Sequence, residues 1–251
     1  MRRAALVFAL CLAAPILSGC DWLPFGSGKS VTKPTQKDSF TGEVQAIFLT
    51  PPTPSDDYRD MKLLAKFGYL DPYGVYWEVP AGYVTNGASI PWYLWPALGG
   101  PYDGPYRDAA VLHDYYCEKQ TYTWEKTHEM FYNASLRRGV SETKAKVMYL
   151  GLQLFGWKWP PPKDASKIDL NTLNRASFAV MSIPERPWWL LVQAPGNTPA
   201  TRIPTSEEKQ IFEELKGWIE RDKPSLAEIQ KKVDEVRAAR KLPVLPAPPK
   251  K

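Results

Sequence analysis

Proline sets the limits on what this chain can fold into. Its ring fixes φ and removes a backbone N–H, so a segment dense in proline cannot run as a helix interior or a central strand. The chain carries 25 prolines in 251 residues, about twice the usual share of roughly 5%. They are unevenly spread: eight fall between positions 160 and 204, and Pro243, Pro246, Pro248 and Pro249 close the chain. Those stretches read as extended connector and stiff tail. Regular structure is confined to what lies between them.

Three short strands are expected first, over Glu43–Thr50, Met61–Leu70 and Val75–Val79, divided by the turn clusters Pro51–Asp57 and Asp71-Pro72-Tyr73-Gly74. Helical spacing takes over after Pro105. Ala109, Leu112, His113 and Tyr116 share one stripe, and Trp124, Thr127, His128, Phe131, Ala134 and Ser135 share a second, which Gly139 ends. Ser141 opens a third helix, with Ala145, Met148, Tyr149, Leu152, Phe155 and Gly156 aligned. Further on, Thr205-x-x-Glu208 and Ser225-x-x-Glu228 have the form of capping boxes on either side of Pro224, predicting a helical hairpin. On its first helix Ile211, Leu215 and Trp218 face one way, and on its second Leu226, Ile229, Val233 and Val236 do. The expected fold class is α+β: a small antiparallel sheet, a three-helix unit, a Pro-rich extension and a C-terminal helical hairpin. The expected boundaries are 39–159 for the α+β domain, 160–204 for the extended segment, 205–241 for the hairpin and 242–251 for the tail. Within the extended segment Trp188–Val192 is an apolar run, expected to pack as a strand or cover on the domain, with the lipid interface as the alternative.

The first residues carry an address. Arg2 and Arg3 precede the apolar stretch Ala4–Leu17, and Ser18 and Gly19 lead to Cys20. This is the layout of a secretory signal, with an apolar stretch shorter than the roughly 20 residues of a permanent span. Leu17-Ser18-Gly19-Cys20 resembles a bacterial lipobox, which implies removal of residues 1–19, a diacylglycerol on the Cys20 thiol and a membrane anchor by acyl chains. Residues 20–38 mix Gly, Ser, Lys, Thr and Pro without apolar periodicity and read as a tether. The expected location is a cell membrane facing the periplasm. Asp21 favours the inner membrane over the outer, by the retention rule of enteric bacteria. With Cys11 in the signal and Cys20 acylated, Cys117 is the one thiol left, and no internal disulfide is expected. A formal net charge of +5 from 32 basic and 27 acidic residues lacks the clustered excess of a nucleic-acid footprint.

Three cysteines and two histidines leave few residues for chemistry. His113 and His128 occupy core-facing stripes of consecutive helices, so an antiparallel pair brings them together. His113-Asp114 resembles the helical His–Asp pair of secreted phospholipases A2, in which a general base adjoins a calcium ligand. Leu98–Gly104, with Gly99 and Gly100, is the upstream glycine-rich segment from which backbone carbonyls would then come. If a metal binds, Asp114, His113 and His128 are the candidate ligands, with zinc the ion two imidazoles favour. Ser89 paired with His113 is a third hydrolase arrangement, and Cys117 lies one helical turn from His113. No cofactor is required by these residues. Without catalysis, His113 and His128 belong to a polar core network, Asn86 caps a turn and Trp124 packs.

Several motifs in order carry a wider resemblance: Ser39-Phe40-Thr41-Gly42, then Val79–Pro91 with Asn86-Gly87-Ala88-Ser89, then Ala109–Tyr115, Phe131 and Met148-Tyr149. Over residues 39–159 the chain resembles a family of uncharacterised phage and bacterial proteins, domain of unknown function 1353. The resemblance implies Asp at the place of Asn86, Arg at that of Trp124 and Asp at that of His128. An inherited hydrolytic or metal site would keep His113 and Asp114 while losing two carboxylates. The expected function is therefore an envelope lipoprotein acting as an interaction or structural module, bound to the membrane and to an envelope protein partner. The alternative is a hydrolase, phospholipase-like or degenerate, centred on His113 and Asp114.

Overall fold

The computed structural model describes residues 37–50, 60–88, 98–161 and 204–242. Cys20 and the signal, the tether as far as residue 36, Ser89, the apolar run Trp188–Val192 and the tail from residue 243 lie outside the described residues. Six short strands come first: β1 Ser39–Thr41, β2 Ala46–Phe48, β3 Met61–Leu63, β4 Phe67–Leu70, β5 Tyr76–Val79 and β6 Val84–Thr85. They form two antiparallel sheets, ordered β1-β4-β5 and β2-β3-β6.

The single small sheet expected from sequence is thus two, and the expected strand Met61–Leu70 is broken between them. Met61, Leu63, Phe67 and Tyr69 are all buried while Lys62, Leu64 and Lys66 are exposed, so the two-residue alternation runs through the break unchanged. What changes is the hydrogen-bonding partner. The Leu63 carbonyl accepts from the Gly82 N–H and the Leu64 N–H donates to Gln45, whereas Phe67 onward pairs with Val79 back to Tyr76. Periodicity reports which face is buried and is silent about which neighbour pairs.

The β4–β5 hairpin is closed by Asp71. One carboxylate oxygen accepts from the Tyr73 and Val75 N–H groups at 2.9 and 2.8 Å, and the other accepts from the Trp77 indole at 3.0 Å. Gly74 supplies the positive φ, +85°, that this turn requires. Trp77, held in this way, is almost completely buried, with its ring 4.7 Å from Tyr116 and 4.4 Å from Tyr122. A turn carboxylate therefore orients the indole that joins the sheet to the first helix.

Three helices follow: α1 Arg107–Lys119, α2 Trp124–Arg137 and α3 Glu142–Phe155. Thr123 caps α2 by accepting from the Lys126 N–H, and Gly139 turns the chain with φ +90°. The α1 stripe is buried as its spacing predicts, and so is that of α2 from Thr127 on, with Trp124 half-buried. On α3 every residue from Ala145 to Leu150 is buried, Lys146 included, while Leu152 is only half-buried. One stripe was expected, but both sides are covered, by α2 and by a C-terminal pair, α4 Ser206–Asp222 and α5 Leu226–Arg240.

Both predicted capping boxes are present, at Thr205/Glu208 and Ser225/Glu228. Ile211, Phe212, Leu215 and Ile219 of α4, with Ile229 and Val233 of α5, enter the main core. Phe212 and Ile219 take the buried positions, and Trp218 packs at the margin. Residues 39–159 and the hairpin thus share one hydrophobic interior. Helix ends are cross-capped. The Arg237 guanidinium of α5 donates to the Gln153 and Leu154 carbonyls of α3, and the Lys146 ammonium of α3 donates to the Lys223 carbonyl that ends α4. Cations at the negative ends of helices satisfy carbonyls that have no partner within their own helix. No helix among the described residues is long and apolar enough to cross a membrane.

Replacing Arg237 by Met keeps most of the volume but strands two buried carbonyls, which should cost about 2–3 kcal/mol. The expected result is a lower urea midpoint, with faster amide exchange in the last turn of α3. An unchanged midpoint would show that the hairpin lends the domain no stability through this contact.

Candidate functional site

The antiparallel contact of α1 and α2 brings together the two histidines of the chain. His113 Nε2 lies 2.9 Å from His128 Nδ1, with the rings 5.1 Å apart between centroids. His128 is fully buried and His113 nearly so. Phe131 meets His113 edge-on at 5.5 Å, while Trp124 and Trp159 meet His128 at 5.6 and 6.4 Å. Trp159 is held by its indole N–H, which donates to the Tyr122 carbonyl at 2.8 Å. Gly156 gives the second ring its space: a Cβ there would stand 3.0 Å from His128 Nε2 and closer still to the Leu152 carbonyl.

One proton lies between the two rings, and the tautomer of each sets its direction. The Trp157 carbonyl adjoins His128 and favours a proton on that ring, although His128 Nε2 is outside good hydrogen-bond geometry. With Nε2 protonated, His128 Nδ1 accepts, and His113 Nε2 donates to it. His113 Nδ1 is then free to accept from the Cys117 thiol, 3.6 Å away. Burial lowers the His113 pKa to about 4. It lowers that of His128 further, helped by His113 and Lys158 and opposed by the Trp157 carbonyl. Burial also raises the Cys117 thiol, and Asp114 and Glu118 add to the effect. At neutral pH the array is uncharged from thiol to imidazole to imidazole, which is the opposite of an activated nucleophile.

Asp114 turns elsewhere. Its carboxyl receives the Thr85 hydroxyl at 2.5 Å, and Thr85 Oγ1 in turn accepts from the Gly87 N–H at 3.1 Å. Asp114 therefore ties α1 to β6. Burial raises its pKa to about 8, with Thr85 opposing and the Glu118 charge adding. Asn86, between these partners, is exposed. Gly99 and Gly100 form a loop closed on itself: the Gly100 carbonyl accepts the Tyr106 hydroxyl at 2.5 Å, and its N–H donates to Asp103 at 3.1 Å. Among the described residues no three His, Cys, Asp or Glu side chains are arranged to hold a metal.

The structure thus unites His113 with His128 and Cys117, and sends Asp114 to Thr85. Thr85, Gly156 and Trp159 were missed from sequence. Thr85 gave a local signal, since a hydroxyl followed two residues later by a glycine at positive φ is the form of a turn. Gly156 and Trp159 gave none, because they meet His128 across the interior.

An α+β domain built around a sealed imidazole pair is the class these features define. Residues 61–152 match the model of the family described as Protein of unknown function (DUF1353). The chain is 42% identical over 123 residues to Uncharacterized protein y4iH of Sinorhizobium fredii, a stretch covering 49% of each chain. It is also 42% identical over 98 residues to Uncharacterized protein y4jT of the same organism, covering 39% of this chain and 29% of that one. The chain thus spans half or less of the curated relatives it matches. No solved structure matches.

The shifted groups predict pH dependences of opposite sign. His113 goes from an ordinary 6.5 to about 4 on folding, so the unfolded chain binds the proton more tightly. Its contribution is fully present above pH 6.5 and is lost as pH falls toward 4, by up to about 3 kcal/mol. Asp114 goes from 3.8 to about 8, so its contribution is present in acid and lost as pH rises toward 8. Between about pH 4 and 6.5 the two slopes oppose, so in urea titrations His113→Gln should leave stability falling as pH rises through that window, and Asp114→Asn should leave it rising there and remove the fall between 6.5 and 8. Slopes equal to those of the parent would refute the assignment.

Proposed function

We propose that this chain is a membrane-anchored lipoprotein of the cell envelope whose α+β domain serves as an interaction or structural module. The observation that carries the second half is the His113–His128 contact at 2.9 Å in a closed aromatic box. A general base must reach the proton it removes, and here both rings are buried, one nitrogen of each is turned to the other ring, and the Cys117 thiol lies against His113. A hydrolytic His–Asp site also needs an ionised partner carboxylate. Asp114 is instead engaged with Thr85, and position 128 holds a second imidazole. These features favour a polar core that fixes α1 against α2.

The anchored half rests on Arg2 and Arg3, the apolar stretch Ala4–Leu17 and Leu17-Ser18-Gly19-Cys20. Acyl chains on Cys20 would hold the domain at the periplasm-facing side of a membrane, the inner one favoured by Asp21, where an envelope protein partner is met.

Mass spectrometry of the protein purified from a Gram-negative host tests the anchor. A mature chain starting at an acylated Cys20 is expected, and Cys20→Ser should move it from the membrane to the soluble fraction. An intact Met1 terminus, or a Cys20→Ser chain as membrane-bound as the parent, would overturn the anchor. For the module, His113→Gln should lower stability without removing any hydrolysis of phospholipid or ester substrates shown by the parent. Loss of such an activity in a variant as stable as the parent would establish an enzyme.

A further inference from the structure

Among the described residues the exposed large hydrophobic side chains are Ile47, Phe48 and Leu64, at 48%, 64% and 57% exposure. All three fall on the β2-β3-β6 sheet or at its margin. Pairing register makes Ile47 and Leu64 neighbours. Ile47 stands opposite Lys62, and Lys62 opposite Val84. The Leu64 N–H donates to the Gln45 carbonyl, placing Leu64 in the next row. Because side chains alternate across a strand, Gln45, Ile47, Lys62, Leu64 and Val84 share one face. Met61, Leu63 and Thr85 on the other face are buried. The sheet thus buries one side in the core and presents Ile47, Leu64 and Val84 around a single lysine on the other. Phe48, opposite Met61, lies on the other side of the strand, edge-on to Tyr102 at 5.4 Å, and is no part of this face. Scattered apolar residues need no explanation, but a contiguous group on one sheet marks a contact surface.

We propose that this face rests on an anionic lipid surface. The proposal deepens the anchored reading and depends on it for the partner. From Cys20 to β1 the chain offers only Asp21–Asp38, a reach of at most about 60 Å at full extension. A few residues beyond β1 the chain enters β2, so the apolar face lies on the second strand after the tether. The bilayer holding the acyl chains is an apolar phase always within that reach. The charges fit the same partner. Lys62 lies in the middle of the face with its aliphatic stem close to Gly82, able to sink that stem and hold its ammonium among headgroups. Lys66, two residues past Leu64, is exposed and paired with Glu78 of the other sheet at 3.4 Å, and Lys37 is exposed where the tether ends. Tethering raises the local concentration of lipid, so a face of this size suffices although it would hold a free domain only weakly.

The test uses the full lipidated chain in phosphatidylcholine vesicles with about 30% phosphatidylglycerol. An environment-sensitive dye is placed by Ile47→Cys, by Leu64→Cys and, as a control on exposed α4 surface, by Glu220→Cys. Buried Cys117 makes the parent chain the labelling blank. Expected are blue-shifted emission at 47 and 64 and quenching by nitroxide lipids at least about threefold stronger there than at 220. Lys62→Glu should weaken that quenching. A blue shift without lipid quenching would mean that protein, a second copy or a partner, covers the face. Neither shift nor quenching would mean that the face is bare. Either outcome overturns the proposal. The protein mass reports the anchor separately: quenching of an unlipidated chain would sink the anchor and keep the lipid contact, and a lipidated chain without quenching would do the reverse. Should the labelled variants misfold, acetylation of Lys62 in the parent decides it, with slower reaction in vesicles than in detergent expected and equal rates contrary.

Discussion

Two imidazoles can touch in a dry interior only if they are not both charged, and burial, which disfavours the charge on each ring, holds this pair neutral. Cations at 2.9 Å in a medium of low dielectric would repel strongly, whereas neutral rings share a hydrogen bond and leave two further nitrogens to be satisfied. The thiol of Cys117 lies against His113, His128 Nε2 is left without a well-placed partner, and Phe131, Trp124 and Trp159 surround the pair. Every element near the site contributes: α1 one ring and the thiol, α2 the other ring and two aromatics, and the end of α3 the glycine that leaves room.

The same economy of polar partners governs the rest of the molecule. Asp71 satisfies two turn amides and an indole, Asp114 takes a hydroxyl from the second sheet, and Arg237 and Lys146 answer carbonyls at helix ends. Each bond joins elements that the chain visits separately. Buried polar groups without partners are costly, so these contacts fix register and orientation where apolar packing alone would tolerate slippage.

Function follows from what such a centre withholds. A nucleophile or base must have an altered charge state within reach of a substrate, but here burial moves the imidazoles and the thiol toward neutrality. The substitution of an imidazole for the carboxylate implied at position 128 exchanges an ion-pair site for a neutral one. A scaffold with an exposed sheet face, hung from a lipidated terminus as proposed, is consistent with work done at its surface.

Much of this was legible in the residues. The capping boxes at Thr205 and Ser225, the stop at Gly139 and the stripes of α1 and α2 are local patterns, set by backbone geometry and by hydrogen bonds within a turn or two. The meeting of His113 and His128 was also foreseeable, since two buried stripes on consecutive helices joined by a short turn must face each other. The division into two sheets at Leu64–Lys66 was hidden by an alternation that never changes phase. The cover of α3 on both sides was hidden because its second part arrives some fifty residues later. Arg237 gave no sign of capping α3, as its acceptors lie 83 and 84 positions away. The sequence by itself determined the five helices, the buried stripes of α1 and α2 and the pairing of the two histidines. Only the tertiary structure decided that Asp114 serves Thr85, that the imidazoles stay neutral and that one sheet face is left to the outside, because charge state and exposure depend on neighbours from distant parts of the chain.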